Sequence, residues 1–262
     1  MKVVSTGPAS APRVVCLHGF LGDGEDWRPL VEYCGGRYRF DLVDLPGHGS
    51  STGPYDFTAC VAELIRLAQG ASALVGYSMG GRLALATAVA GVPSLRALII
   101  VSASPGLDDG TVRAARLAED EHRAGRLEAE GLPAFVRTWY DQALFASLAR
   151  QPTLRERLIQ LRSQGSAVER ANALRGLSVG NQPSYWDALG RLDTPSLWVA
   201  GEEDASYTGI ARRAAGSAWR AVNLSGRGRA LILPSAGHMP HIEQPEVCLA
   251  GIAEFLGQQL ES

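Results

Sequence analysis

The chain has 262 residues, 46% of them apolar and 20% charged, and a formal net charge of −2. That balance supplies a large buried core and excludes a disordered chain or a coiled coil. It also lacks the basic excess that a nucleic-acid or membrane-surface binder needs. Lys2 is the single lysine among the 25 basic residues, so the rest are arginine, and composition alone assigns those arginines no task.

The first twenty residues have neither the continuous apolar stretch nor the small-residue cleavage site of a signal peptide. Apolar runs stay at strand length, too short to span a bilayer, so a cytoplasmic chain is expected. Arg13–Leu17 (RVVCL) reads as the first core strand and Arg39–Asp44 (RFDLVD) as the next. Phe57–Gln69 reads as a helix, because Val61, Leu64, Ile65 and Ala68 recur at helical spacing. Ala73–Val75 is a strand leading into an alanine-rich helix between Gly80 and Ala90, and Ala97–Ser102 (ALIIVS) is a further strand. From about Gly106 to Leu192 the alternation stops. Helical patterns over Thr111–Glu130, Leu132–Tyr140, Thr153–Gln164 and Ala167–Leu177 are punctuated by Pro133, Pro152 and Pro183. Strands resume at Ser196–Ala200 and Ala230–Leu233, and Glu246–Leu260 is the last helix.

Unpatterned apolar strands alternating with helices predict an α/β fold, a mostly parallel central sheet flanked by helices on both faces. The helical block interrupts it as an inserted cap. The expected organisation is a core over residues 1–105 and 193–262 with a helical cap over 106–192. Cys16, Cys34, Cys60 and Cys248 form neither a CxxC nor a metal spacing; three of them sit in apolar or helical contexts and read as small core residues, and a reducing compartment with no disulfides is expected. His238 and His241 have no acidic or cysteine ligand grouped with them. No metal and no cofactor are expected.

Gly76-Tyr77-Ser78-Met79-Gly80 matches GxSxG between a strand and a helix. A sharp strand-to-helix turn puts such a serine in a strained backbone conformation at the C-terminal end of the sheet, with glycines relieving the crowding. A nucleophilic or basic serine needs an imidazole, and the imidazole needs a carboxylate. His238 follows the last strand, where a loop can reach back over the sheet. Asp204 follows the penultimate strand, with Glu203 and Glu202 as alternatives in the same loop. The order Ser78, Asp204, His238 is the one an α/β-hydrolase fold requires. The backbone N–H groups of Phe20, after the first core strand, and of Met79, after the serine, are the expected oxyanion-hole donors. His18 and His48 read as structural supports of their loops.

Arg82 lies one helical turn after Ser78 and on the same face. A cation in a first turn opposes the helix dipole by about 0.3–1 kcal/mol. It therefore pairs either with a neighbouring carboxylate, such as Glu25 or Asp26, or with a carboxylate of the substrate; the residues alone leave both open.

The passages LHGFLG (17–22), DLPGHG (44–49), VGYSMGGRLAL (75–85), SPGLDDGTVRAAR (104–116), TWYDQALFASL (138–148), LRSQG (161–165), GLSVGNQP (176–183) and AGHMPH (236–241) run in order along the chain. With them the sequence resembles the 2-succinyl-6-hydroxy-2,4-cyclohexadiene-1-carboxylate synthases of menaquinone biosynthesis, a family of the α/β-hydrolase superfamily. The resemblance implies a lyase that removes pyruvate from a tricarboxylate small molecule, with the triad acting as a base. It also implies substrate-binding roles for Arg82, Arg116, Arg162, Tyr77 and Trp139. Arg113, Arg123 and Arg157 are read as solvated helix faces. The stretch 223–238 is longer than the resemblance leads one to expect and reads as a surface hairpin or a shifted last strand. A carboxylesterase, thioesterase or C–C bond hydrolase with the same triad is the competing reading, and a catalytically silent binding protein of this fold is a weaker one.

Overall fold

The computed structural model describes residues 1–219 and 228–261. Strand β1 (Lys2–Thr6) is followed by β2 (Arg13–Leu17), a 3₁₀ turn at Gly24–Trp27, α1 (Arg28–Cys34) and β3 (Arg39–Asp44). Then come α2 (Phe57–Leu67), β4 (Ala73–Tyr77), α3 (Met79–Ala90) and β5 (Ala97–Val101). The block between β5 and β6 holds α4 (Gly110–Glu130), α5 (Leu132–Trp139), a 3₁₀ segment at Ala143–Arg150, α6 (Pro152–Arg162), α7 (Ala167–Gly176) and the short α8 (Trp186–Leu189). The chain closes with β6 (Ser196–Gly201), α9 (Ala205–Trp219), β7 (Gly228–Leu233), α10 (Pro240–Glu243) and α11 (Pro245–Leu260).

The seven strands form one sheet in the order β1-β3-β2-β4-β5-β6-β7. All neighbours are parallel except β1, which pairs antiparallel with β3 at the edge. This edge strand escaped the sequence reading because Lys2–Thr6 is short and largely exposed; it carries no apolar run. Central strands β4 and β5 are buried at every residue. Successive residues feed opposite faces: Val14, Cys16, Ala73, Val75 and Ile99 join the layer under α1 and α11, while Val15, Leu17, Leu74, Leu98 and Ile100 join that under α2, α3 and α9. Continuous burial on both faces is why these strands read as apolar runs rather than as alternating ones.

The cap helices fold onto one another, α4 against α5 and α7, and α5 against α6. Asp109 caps α4 by accepting from the amides of Thr111 and Val112, and Gly131, at φ 78°, breaks the chain between α4 and α5. Buried polar contacts bind the cap to the core. Arg162 on α6 pairs with Asp26 at 2.5 Å, and Arg170 on α7 donates to the carbonyl of Gly47. Of the long stretch ahead of His238, residues 223–227 lie outside the described residues, and the remainder forms β7 and its following turn. Among the described residues, no helix is long and apolar enough to cross a membrane.

Candidate active site

Strand β4 ends at Tyr77 and helix α3 begins at Met79, so the whole change of direction falls on Ser78, at φ 49°, ψ −109°. A non-glycine residue there stores about 1–3 kcal/mol and persists only where its surroundings over-determine it. The Ser78 amide is fixed by donation to the Val101 carbonyl at 2.8 Å. The flanking glycines are required by close approach. A Cβ on Gly76 would stand 2.4 Å from the Gly80 carbonyl oxygen, and one on Gly80 would stand 2.3 Å from that of Leu17. α3 is thereby pressed against both β4 and β2, and the serine hydroxyl is left at the strand ends.

His238 Nε2 lies 3.2 Å from Ser78 Oγ, and His238 Nδ1 lies 2.7 Å from Asp204 Oδ2. The three acids after β6 separate by direction. Glu202 and Glu203 are exposed and Glu203 binds Arg150 at 2.5 Å, whereas Asp204 is buried. The Asp204 amide donates to Gly201 O, and its other carboxylate oxygen accepts from the Tyr207 amide at 3.2 Å, which turns the side chain inward. His238 is 2% exposed, enclosed by the rings of Tyr207 (centroids 4.6 Å), Tyr77 (5.6 Å) and Phe145 (5.8 Å). Its loop hangs on Glu243, whose two carboxylate oxygens accept from the amides of Gly237 and Met239, each at 2.9 Å. Nothing in the spacing of Glu243 had marked it, because its partners are backbone groups.

On the opposite side of the serine, two histidines lace the loops after β2 and β3 together. His18 Nε2 accepts from the Leu45 amide at 2.9 Å and His48 Nε2 accepts from the Leu21 amide at 3.1 Å. The other ring nitrogens lie 2.7 Å from Gly19 O and 2.9 Å from Pro46 O. A ring that accepts at Nε2 and faces a carbonyl at Nδ1 is neutral with the proton on Nδ1. Burial agrees: it pushes His18 down to about 3 and His48 well below its ordinary value. Phe20, in the loop so held, packs against Trp139 at 5.0 Å. Met79 opens α3, so its amide has no acceptor within the helix. Gly19 admits Tyr77; a Cβ there would stand 2.5 Å from the tyrosine ring.

These groups line a cavity of about 440 Å³ between the strand ends and the cap, with Phe20, Tyr77, Ser78, Met79, Trp139 and His238 in its wall. Three guanidiniums share it. Arg82 is 9% exposed and donates Nη2–H to the Leu177 carbonyl at 2.7 Å and Nη1–H to Gln182 Oε1 at 3.2 Å. Neither Glu25 nor Asp26 meets it: Glu25 pairs with Arg28 and Asp26 with Arg162. Burial, then the charge of Arg116, lowers the Arg82 guanidinium to about 10, so it remains a cation at neutral pH. Arg116 uses Nε on Asp120 Oδ2 at 2.9 Å. Asp120 is 1% exposed and also accepts from Ser178 Oγ at 2.7 Å and Arg123 Nη1 at 3.1 Å.

Two assignments of the arginines differ from the sequence reading. Arg123 is not a solvated helix face; it lines the cavity with Arg116 and Asp120, at the i, i+4, i+7 spacing of one face of α4, and its guanidinium lies 5.8 Å from the Trp139 ring. Arg162 does not line this cavity: it is held by Asp26 in the wall of a second one, with Arg157 and His241. Tyr207 also lines this cavity; a tyrosine three residues after the acid carries no motif that would mark it in sequence. Among the described residues, no group of three or more histidine, cysteine or acidic side chains could hold a metal ion.

Comparison with known proteins gives the family. The model of the alpha/beta hydrolase family matches residues 14–250. The chain is 35% identical over 260 residues to 2-succinyl-6-hydroxy-2,4-cyclohexadiene-1-carboxylate synthase of Salmonella heidelberg, covering 97% of this chain and 96% of that one. It is 34% identical to a segment of the chloroplastic protein PHYLLO of Arabidopsis thaliana, covering 92% of this chain and 15% of that longer protein. The structure of MenH from S. aureus superposes with a TM-score of 0.89 at 29% identity, covering 98% of both chains. The chain belongs to the α/β-hydrolase family and, within it, to the 2-succinyl-6-hydroxy-2,4-cyclohexadiene-1-carboxylate synthase family.

Proposed function

We propose that this enzyme eliminates pyruvate from 2-succinyl-5-enolpyruvyl-6-hydroxy-3-cyclohexene-1-carboxylate, giving 2-succinyl-6-hydroxy-2,4-cyclohexadiene-1-carboxylate in menaquinone biosynthesis. The observation that carries the reading is the meeting, in one cavity, of a Ser–His–Asp array with guanidiniums that retain unused N–H groups. A neutral ester would have no use for the buried charge of Arg82. A tricarboxylate does, since arginine binds a carboxylate through a planar, two-pronged contact.

Asp204 holds His238 with its proton on Nδ1, leaving Nε2 to accept the Ser78 proton. The serine oxygen then takes the proton of the ring carbon that bears the succinyl ketone. The electron pair released forms a double bond to the next ring carbon, the existing ring double bond shifts by one position, and the bond from ring carbon to enolpyruvyl oxygen breaks. Negative charge that builds on the ketone oxygen is met by the Phe20 and Met79 amides. Enolpyruvate takes a proton and leaves as pyruvate, so no acyl-enzyme is formed. Arg82 and Arg116 bind substrate carboxylates, Tyr77 and Trp139 shape the cavity, and Arg162 acts through Asp26 by holding α6 against the core. The test generates the substrate in situ with the preceding enzyme and times pyruvate release against spontaneous loss. Release that is fast and vanishes in Ser78→Ala supports the lyase; release at the background rate, with turnover of simple esters, establishes a hydrolase instead.

A further inference from the structure

We propose that Gln182 is a positioning residue that keeps Arg82 available to a substrate carboxylate, by holding the guanidinium with a neutral acceptor where an acidic residue would neutralise it. The inference rests on the reading that Arg82 binds such a carboxylate. Arg116 and Arg123 both bind Asp120, and Arg162 binds Asp26. Arg82 alone of these four, among the described residues, meets only uncharged partners. A buried guanidinium without a counter-ion is costly, and its desolvation has to be offset by geometry.

The structure supplies that geometry from two directions. Leu177 is the C-cap of α7, so the carbonyl that Arg82 meets stands at the negative end of that helix dipole. This offsets the unfavourable position of Arg82 in the first turn of α3, since each effect amounts to a fraction of a unit charge. Gln182 is fully buried and its amide has a determined orientation. Its nitrogen lies 3.2 Å from Ser104 O, which can only accept, so the NH₂ faces Ser104 and the oxygen faces Arg82. One side chain therefore aims the guanidinium and leaves its charge intact. Of the five N–H donors of a guanidinium, these two contacts occupy two; the others remain for a ligand in the cavity that Arg82 lines.

Gln182→Glu changes the shape least and places a carboxylate oxygen against Arg82, where it competes with the substrate. The expected result is a KM raised about tenfold or more with kcat within about threefold, and weaker binding of the reaction product followed by tryptophan fluorescence. The same substitution made on Arg82→Met should raise KM no further, because the competitor then has nothing to neutralise. Damage from losing the Ser104 contact alone would instead add fully in both backgrounds, and that additivity overturns the proposal, as does a KM within twofold of the parent. Should the Glu variant fail to fold, Gln182→Met serves: a KM rise of several-fold that disappears on Arg82→Met supports the role, and an undiminished rise overturns it. An Arg82→Met enzyme that folds and keeps kcat/KM within twofold of the parent would overturn the underlying reading of Arg82 itself, independently of the Gln182 variants.

Discussion

Replacing Arg82 by methionine keeps most of the aliphatic stem and deletes the guanidinium, which makes it the most direct perturbation of the proposed anion site. Two consequences separate. In the free enzyme the Leu177 carbonyl and Gln182 Oε1 lose their donor. A buried acceptor left without a partner costs about 1–3 kcal/mol, so the unfolding midpoint should fall by a few degrees. In catalysis the lost contact is a charge-assisted hydrogen bond worth about 1.5–3 kcal/mol. At 1.4 kcal/mol per factor of ten, kcat/KM should drop by roughly ten- to a hundredfold. The assay couples pyruvate release to an indicator dehydrogenase, with product binding measured separately. Arg82→Lys should recover charge without the two-pronged contact and fall between the two. A methionine variant that folds and retains kcat/KM within twofold of the parent would refute the carboxylate role. The pH dependence has a definite sign: the cation is present below about 10, so substrate affinity should decline as pH rises through that value.

Gly80→Ala should be among the most damaging small substitutions, because its Cβ would stand 2.3 Å and 2.4 Å from the carbonyl oxygens of Leu17 and His18; the expected outcome is a loss of several kcal/mol in urea unfolding, and about 1 kcal/mol or less would mean that the elbow is not tightly packed. Asp204→Asn should reduce kcat by orders of magnitude by releasing the preferred histidine tautomer, whereas Glu203→Gln, which loses only an exposed pair with Arg150, should leave kcat unchanged and stability within about 1 kcal/mol; equal effects would reassign the acid. The buried histidines predict acid sensitivity. His18 and His241 have folded-state values near 3 against 6.5 unfolded, so the unfolded chain binds protons that the native one does not. Their contribution is complete above pH 6.5 and is lost as pH falls toward 3, about 2 kcal/mol for each at pH 5. Unfolding midpoints equal at pH 7.5 and pH 5 would contradict it.

The layout of the core and the family were legible in sequence because each rests on local signals. Buried parallel strands are continuous apolar runs, an elbow needs small residues at fixed offsets, and the cap phrases occur in family order. Asp204 was separable from Glu202 and Glu203 only by fold, since three adjacent acids differ solely in the direction that the turn after β6 gives them. The arginines mark the limit more sharply. Arg82 was found because its position follows from the serine's, one turn along the same helix. Arg116 and Arg123 share one face of α4, but which way that face looks depends on how α4 packs on α5 and α7. Arg162 has an ordinary helical context, and its binding to Asp26, 136 positions away, is a product of where the cap settles. Gln182 and Glu243 act through hydrogen bonds to groups distant in sequence or to the backbone, and neither leaves a pattern of its own. Sequence by itself determined the serine turn between β4 and α3, the layering of the sheet and the helical block between β5 and β6, because these follow from backbone preference and burial over a few residues. Only the tertiary structure decided which charges share a cavity and which are neutralised, because that depends on distances between elements that no local propensity encodes.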